Sequence, residues 1–449
     1  MERKLAANLD VALVEDGAHS EWLPSIPSHR APTHGRRGPG RPKTMLKTLI
    51  EDAGVNNKEK LISCMQDSVV WRKKKLPEYF DPWWNIATRL QELVDDGTLR
   101  EKVDMMPDLD CRRLEIEGEW RVAHTVLCFI TQCYVWGEGE TRIPQYLPEN
   151  VAVPYWSVSE HLGINALLCE ACSVLYNWEL IDPSGPLIIE NMKVIVPFVG
   201  GQDSDWFFLV SSLVEMEFGH GLAGLVKAQQ AVKDLNTDEY IAALVEVKES
   251  LRKMRKAFLR MRERCQPRVF YNKFRPFLAG WNSKAFKEKG WKGLIYEGVS
   301  PEPVSYGGGS AAQSSTFPCL DAALGLKHQS QYEAQCTKFA GDMPPLHRDL
   351  IKALAMGPSI RHFATFCNNS RALLAYKDCL AAVIEFRSAH IQIVTEYVIV
   401  MSHRKDNDEK YAKQGAYGTG GMGIMEFLKG LRSTVKTAFH LVDEGTEIN

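Results

Sequence analysis

His390 stands near the middle of an apolar stretch, LAAVIEFRSAHIQIVTEYVIVM, over residues 380–401. Counted from it, Val383, Phe386, Ile393, Val394 and Tyr397 fall at −7, −4, +3, +4 and +7, which is one face of an α-helix. The β-branched run Ile391, Ile393, Val394, Thr395, Val398, Ile399 and Val400 favours a strand on propensity alone. Length decides for helix, because about 20 residues is too long for a strand. An imidazole on an apolar helix face is either a core histidine satisfied by a neighbouring carbonyl or a metal ligand in a dry pocket, and this stretch leaves both open.

A second candidate lies in VFYNKFRPFLAGW, residues 269–281, where Tyr271 and Arg275 are four apart with Phe270 beside them. A guanidinium framed by aromatic rings can hold a carboxylate through two parallel hydrogen bonds. It can equally be a surface arginine lying along those rings. The loop SYGGGSAAQSSTF, residues 305–317, is rich in Gly and Ser and of the kind that lets backbone groups approach a ligand, although many such loops only connect elements.

Other motifs fail on context. GTGGMG satisfies G-x-G-x-x-G formally, but a polar connector precedes it where a dinucleotide site needs a buried strand. Cys169 and Cys172 form a C-x-x-C with no second pair at zinc-ribbon spacing, which reads as core thiols. There is no C-x-x-C-H, calcium loop, P-loop or G-x-S-x-G elbow.

The elements that must position these residues are helical. Residues 79–97 space Trp84, Ile86, Leu90 and Leu93 on one face, and 113–136 is a long apolar helix. Residues 150–178 read as a proline-bounded turn, VAVPYW, followed by a helix. A short extended piece, MKVIVPFVGG, precedes the apolar helix of DWFFLVSSLVEMEFGHGLAGLVKAQQAV, and 238–264 is a charged amphipathic helix. The expected fold is all-α.

With 449 residues and 45% hydrophobic content the chain can bury a large core. A net charge of −2 gives no overall pull toward nucleic acid or anionic membrane. No apolar run is long enough to span a bilayer and residues 1–16 lack a signal-peptide core, so a cytoplasmic protein is expected. The 11 scattered cysteines suit reduced thiols. Residues 1–60 read as a disordered extension with a Pro-, Gly- and Arg-rich tract at 24–43. Its GPGRPK ending, within 36–43, resembles an AT-hook core, and one short match does not carry a DNA-binding function.

Taken together and in order, YVWGEGE, LPENVAVPYW, FFLVSSLVE, VFYNKFRPFLAGW, GGGSAAQSSTFPCLDAALG, MPPLHRDLI, FRSAHIQIVTEYVI and GTGG resemble the indoleamine 2,3-dioxygenase family over roughly residues 76–439. The resemblance implies two helical domains, a smaller one at 61–197 and a larger one at 198–449 that holds haem b, ferrous for O₂ binding. It implies that His390 is the proximal iron ligand and that Asp321 and Arg387 form a buried pair supporting the haem site. Phe207 and Ser211 match residues facing the indole and the oxygen, and Phe270 the ring that packs on the substrate, with Tyr271 its neighbour. Arg275 matches the arginine that takes the amino-acid carboxylate. Ser310, Ala311 and Ala312 match the pocket-lining loop, and Thr419 the closing loop's contact with the substrate. The implied reaction is insertion of O₂ across the indole C2–C3 bond of L-tryptophan to give N-formylkynurenine, by a monomer served by an electron donor that keeps the iron ferrous.

Four positions depart from the family pattern: Glu170 where tyrosine is usual, Ser173 for cysteine, Ala312 for glycine and Met422 for threonine. They bear on affinity and substrate range. The main alternative is a haem oxygen-carrier of the kind that some molluscs build on this family. Arg275 and Phe270 favour the enzyme, since storing O₂ gives no reason for a carboxylate clamp.

Overall fold

The structure is a computed structural model in which residues 75–404 and 423–444 are described. The fold is all-α, as expected. The longer helices are α1 (Glu117–Trp136), α2 (Glu149–Leu162), α3 (Gln202–Lys233), α4 (Thr237–Leu259), α5 (Pro345–Ala355), α6 (Ser370–Val394) and α7 (Ile424–Glu444). Extended structure is confined to two-residue pairs: Tyr146–Leu147 runs parallel to Ile295–Tyr296, and Glu179–Leu180 antiparallel to Met192–Lys193.

The helix around His390 starts earlier than its apolar face suggests. Asn369 sets the start, its Oδ1 accepting from the backbone N–H of Arg371 and Ala372 at 2.9 and 3.3 Å, which satisfies donors that a helix N-terminus leaves open. The β-branched run stays helical but widens into a π-turn at Thr395–Ile399 before closing with Val400–Ser402. Val383, Phe386, Ile393, Val394 and Tyr397 are all buried, as the periodicity requires.

α3, α4 and α6 pack successively side by side, and α7 lies against α6. α3 is 32 residues long and buries Phe208, Leu209, Val210 and Leu213. Asn236 caps α4, accepting from Glu239 N–H at 3.1 Å.

Two sequence expectations are corrected. α2 runs straight through VAVPYW, with Pro154 inside it, and ends at Gly163. The apolar face on which Val151, Ala152, Pro154, Tyr155 and Val158 are buried outweighs the backbone hydrogen bond that the proline lacks. The 79–97 stretch is two short helices, Asp81–Ala87 and Leu90–Asp95, and the fully buried tryptophan is Trp83, not Trp84. The buried Trp83, Ile86, Leu90 and Leu93 recur at spacings of three, four and three, so one face is kept across the break at Thr88 and Arg89.

Among the described residues no helix is long and apolar enough to cross a membrane. The described cysteines are all free thiols. Cys169 and Cys172 are buried with Sγ atoms 3.8 Å apart, and Cys128 Sγ lies 3.5 Å from that of Cys172. The basic tract at 24–43 falls outside the described residues.

Candidate functional site

The helices enclose a cavity of about 1500 Å³ whose lining brings together His390 and Arg387 from α6, Phe207 and Ser211 from α3, and Phe270 and Arg275 from the 270–278 turn. Ser310, Ala311 and Ala312 line it from the Gly/Ser loop, and Glu170 and Ser173 from the segment after α2. Residues nearly two hundred positions apart in sequence thus share one space. Tyr271 is not on the lining; it is buried, with the Arg275 guanidinium carbon 5.3 Å from its ring centroid. Thr419 and Met422 lie outside the described residues.

On one wall the His390 ring faces the cavity with Phe258 edge-on at 5.5 Å, and makes no hydrogen bond among the described residues. Burial, with the nearby Arg387 charge, pulls its pKa down to about 4, so the imidazole is neutral at physiological pH. A neutral, unengaged nitrogen facing an apolar space is the ligand that haem iron takes. The cavity also has the room that a porphyrin needs, and Phe258, Phe317, Ile393 and Leu428 give it apolar walls.

Also on the lining, Asp321 accepts from Arg387 Nη2 at 2.7 and 2.8 Å on its two oxygens, and from His328 Nε2 at 2.7 Å. Burial works against the Asp321 carboxylate, but Arg387 and His328 outweigh it and hold its pKa below the usual range. Arg387 also donates to the Leu431 carbonyl of α7. The network therefore ties α6 to α7 and to the helix Thr316–Ala323 at the point where His390 is presented. His328 was not identified from sequence, since it lies in a connector with no period to mark it.

On another wall, the Phe270–Phe274 π-turn and the Arg275–Leu278 3₁₀ turn follow one another, and Arg275 is only 5% exposed. It stacks along an aromatic ring, yet from a buried position. Desolvation lowers its pKa, opposed by Tyr271 and Glu140. Phe207 packs on Phe270 and Phe274 at 5.3 and 5.1 Å between centroids. Ser211 Oγ donates back to the Phe207 carbonyl at 2.9 Å, which leaves its lone pairs toward the cavity.

Two glycines hold the Gly/Ser loop against this turn. A Cβ on Gly280 would lie 2.4 Å from the backbone of Gly307, and one on Gly308 would lie 2.2 Å from the Leu278 carbonyl. Only glycine permits that approach, which Gly309 N–H secures with a 2.8 Å bond to the same carbonyl. Ser310 then caps the turn at Ala311–Gln313, accepting from Ala312 N–H at 3.2 Å.

Glu170 and Glu215 complete the lining and its support. Ser314 Oγ and Thr316 Oγ1 donate to the two Glu215 oxygens at 2.7 and 2.8 Å. Glu170 makes no hydrogen bond among the described residues, and burial and then the Glu215 charge push its pKa well above the ordinary carboxylate range.

An all-helical protein with a neutral histidine on one wall of a large apolar cavity and a buried arginine on another has room and polar anchors for a bound cofactor and a small ligand. Comparison with known proteins names the family. The family model for indoleamine 2,3-dioxygenase matches residues 71–438. The chain is 37% identical over 374 residues to human indoleamine 2,3-dioxygenase 2, covering 82% of this chain and 91% of that protein. It is 35% identical over 373 residues to rat indoleamine 2,3-dioxygenase 1, covering 81% and 91%, and 34% identical over 358 residues to a myoglobin of Haliotis madaka, covering 80% and 91%. The chain belongs to the indoleamine 2,3-dioxygenase family of haem-dependent oxidoreductases, and its cofactor is haem b.

Proposed function

We propose that this enzyme inserts both atoms of O₂ across the C2–C3 bond of L-tryptophan to give N-formylkynurenine, opening tryptophan catabolism by the kynurenine pathway. The observation that carries the reading is that one cavity collects His390, Phe207, Ser211, Phe270, Arg275 and the 310–312 loop. Bound haem supplies the activation of O₂, which the amino acids of a protein do not provide.

The residues do the rest. His390 would hold the iron, and the Asp321–Arg387–His328 network fixes the helix that carries it. Arg275 pairs with the amino-acid carboxylate, and its planar fork sets orientation as well as affinity. The Phe207 and Phe270 rings give the indole an apolar bed and exclude water, while Ser211 and the 310–312 backbone border the reacting end. Thr419, expected from the resemblance to contact the substrate, lies outside the described residues. The same reading makes 198–449 the haem domain and 61–197 a smaller domain that contributes Glu170 and Ser173 to the lining. It calls for a reductant to keep the iron ferrous and needs no second subunit. A cytoplasmic setting is supported by the free thiols.

A second reading is reversible O₂ carriage, favoured by the similarity to the Haliotis myoglobin. Arg275 and Phe270 on the cavity lining argue against it, because storing O₂ gives no reason to place a carboxylate clamp there. Turnover of L-tryptophan under ¹⁸O₂ by haem-loaded, reduced protein tests the proposal. Product carrying two labelled atoms supports it; reversible O₂ uptake without product refutes it.

A further inference from the structure

α3 acts as a ruler along the cavity. Phe207 marks the arginine end, since it packs on Phe270 and Phe274 in the turn that leads directly into Arg275. Ser211 follows one turn later on the same face, and Glu215 one turn beyond that. At 1.5 Å per residue Glu215 lies about 12 Å along the helix from Phe207. The Ala171–Leu175 turn is bonded to α3 between these points, Ser212 Oγ donating to the Val174 carbonyl at 2.8 Å, and Glu170, which precedes that turn, is near enough to Glu215 for its charge to act.

The two carboxyls at that end differ. Glu215 is satisfied within the wall by Ser314 and Thr316 and is not on the lining. Glu170 lines the cavity with both oxygens uncommitted among the described residues. Burial, then Glu215, favours its neutral form, which can donate through its O–H and accept through its C=O. A ligand whose carboxylate is held at Arg275 directs its ring toward this group.

We propose that Glu170 is a specificity-determining residue that recognises a hydrogen-bonding substituent, a hydroxyl or amino group, on the benzo ring of an indole amino acid. The proposal rests on the dioxygenase reading of the same cavity. An unsubstituted ring entering it leaves the Glu170 carboxyl desolvated and unpaired, whereas a ring hydroxyl satisfies it, and a site built to hydrogen-bond a substrate group discriminates against the analogue lacking it.

The test compares 5-hydroxy-L-tryptophan with L-tryptophan on haem-loaded, full-length protein, as wild type, Glu170→Gln and Glu170→Leu. Equilibrium binding is read by calorimetry and turnover as kcat/KM. The expected result is a ratio of the hydroxylated to the plain substrate that falls on the order of tenfold or more in Glu170→Leu, the size of one buried hydrogen bond, and less in Glu170→Gln, which keeps a donor and an acceptor. A ratio equal in all three proteins overturns the proposal and leaves the dioxygenase reading standing. Glu170-dependent preference in binding without turnover of either compound supports the recognition site and overturns the dioxygenase reading. Failure to bind either compound overturns both. Should Glu170→Leu not fold, the ratio in Glu170→Gln against a Glu170→Met variant decides.

Discussion

Replacing Arg275 with alanine removes the one cation on the aromatic side of the cavity that the reading assigns to the substrate carboxylate. The guanidinium is 5% exposed and desolvation already lowers its pKa, so a carboxylate meets it in a dry setting where charge-assisted pairing is strong. Truncating one member of such a buried pair costs about 2–5 kcal/mol. For Arg275→Ala that corresponds to a fall in kcat/KM for L-tryptophan of roughly 30- to 5,000-fold, expressed mainly as a raised KM. Arg275→Lys keeps the charge but not the planar fork and should fall between the two. The control is tryptamine, which has the ring and the amine but no carboxylate. Binding of both ligands is followed by calorimetry on each haem-loaded protein, beside initial rates for L-tryptophan. Loss confined to L-tryptophan is the expected pattern. An Arg275→Ala enzyme with unchanged KM, or one that loses both ligands equally, would refute the pairing and return Arg275 to a packing role.

Further outcomes follow from the same geometry. His390→Ala should fold, judged by far-ultraviolet circular dichroism, but copurify with little haem, read from its Soret absorbance; retention of haem at wild-type stoichiometry would remove His390 from the iron. Asp321→Asn leaves Arg387 buried beside a neutral group, and breaking a buried pair of this kind costs about 3 kcal/mol or more, so both the urea midpoint and haem retention should drop. Gly308→Ala forces a Cβ against the Leu278 carbonyl and should cost about 1–3 kcal/mol while weakening L-tryptophan binding, because the 310–312 loop moves away from the Arg275 turn. His124 is fully buried, and desolvation lowers its pKa from 6.5 to about 4 despite a 3.3 Å bond to the Asn165 carbonyl. Below pH 6.5 the unfolded chain takes up a proton there that the folded chain refuses. His124 should therefore contribute a fall in stability of up to about 3 kcal/mol between pH 6.5 and 4, in a window shared with His390 and His347, and His124→Gln should make that limb shallower by that amount in a pH series of urea midpoints.

The helix carrying His390 was legible in the sequence because its apolar residues recur at helical spacing over many turns, and that signal outlasted the contrary β-branched run. Its π-turn was not legible, since widening depends on what the turn packs against. Pro154 misled in the opposite direction: a local rule against proline yielded to a buried face that only the tertiary structure supplies. Trp84 was placed on the wrong face because it stands two residues from Ile86, whereas the buried Trp83, Ile86, Leu90 and Leu93 recur at spacings of three, four and three. Of the site residues, those in recurring blocks were placed by resemblance, and all of them in the described region except Tyr271 line or support one cavity. His328 carried no sequence signal because it stands in a connector with no period, seven residues from Asp321, and Glu215 carried none because its partner Ser314 is 99 residues away. Glu170 was visible only as a departure, and its meaning depends on Glu215 standing beside it.

The central claim is that His390 presents haem to a substrate held by Arg275, and the most direct measurement is product formation by haem-loaded protein, kept reduced, in air with L-tryptophan. A tryptophan dioxygenase gives N-formylkynurenine steadily, at a rate that saturates with L-tryptophan and collapses in Arg275→Ala. Sustained, reversible O₂ binding with no N-formylkynurenine would contradict the account and make the chain an oxygen-binding relative of the enzymes.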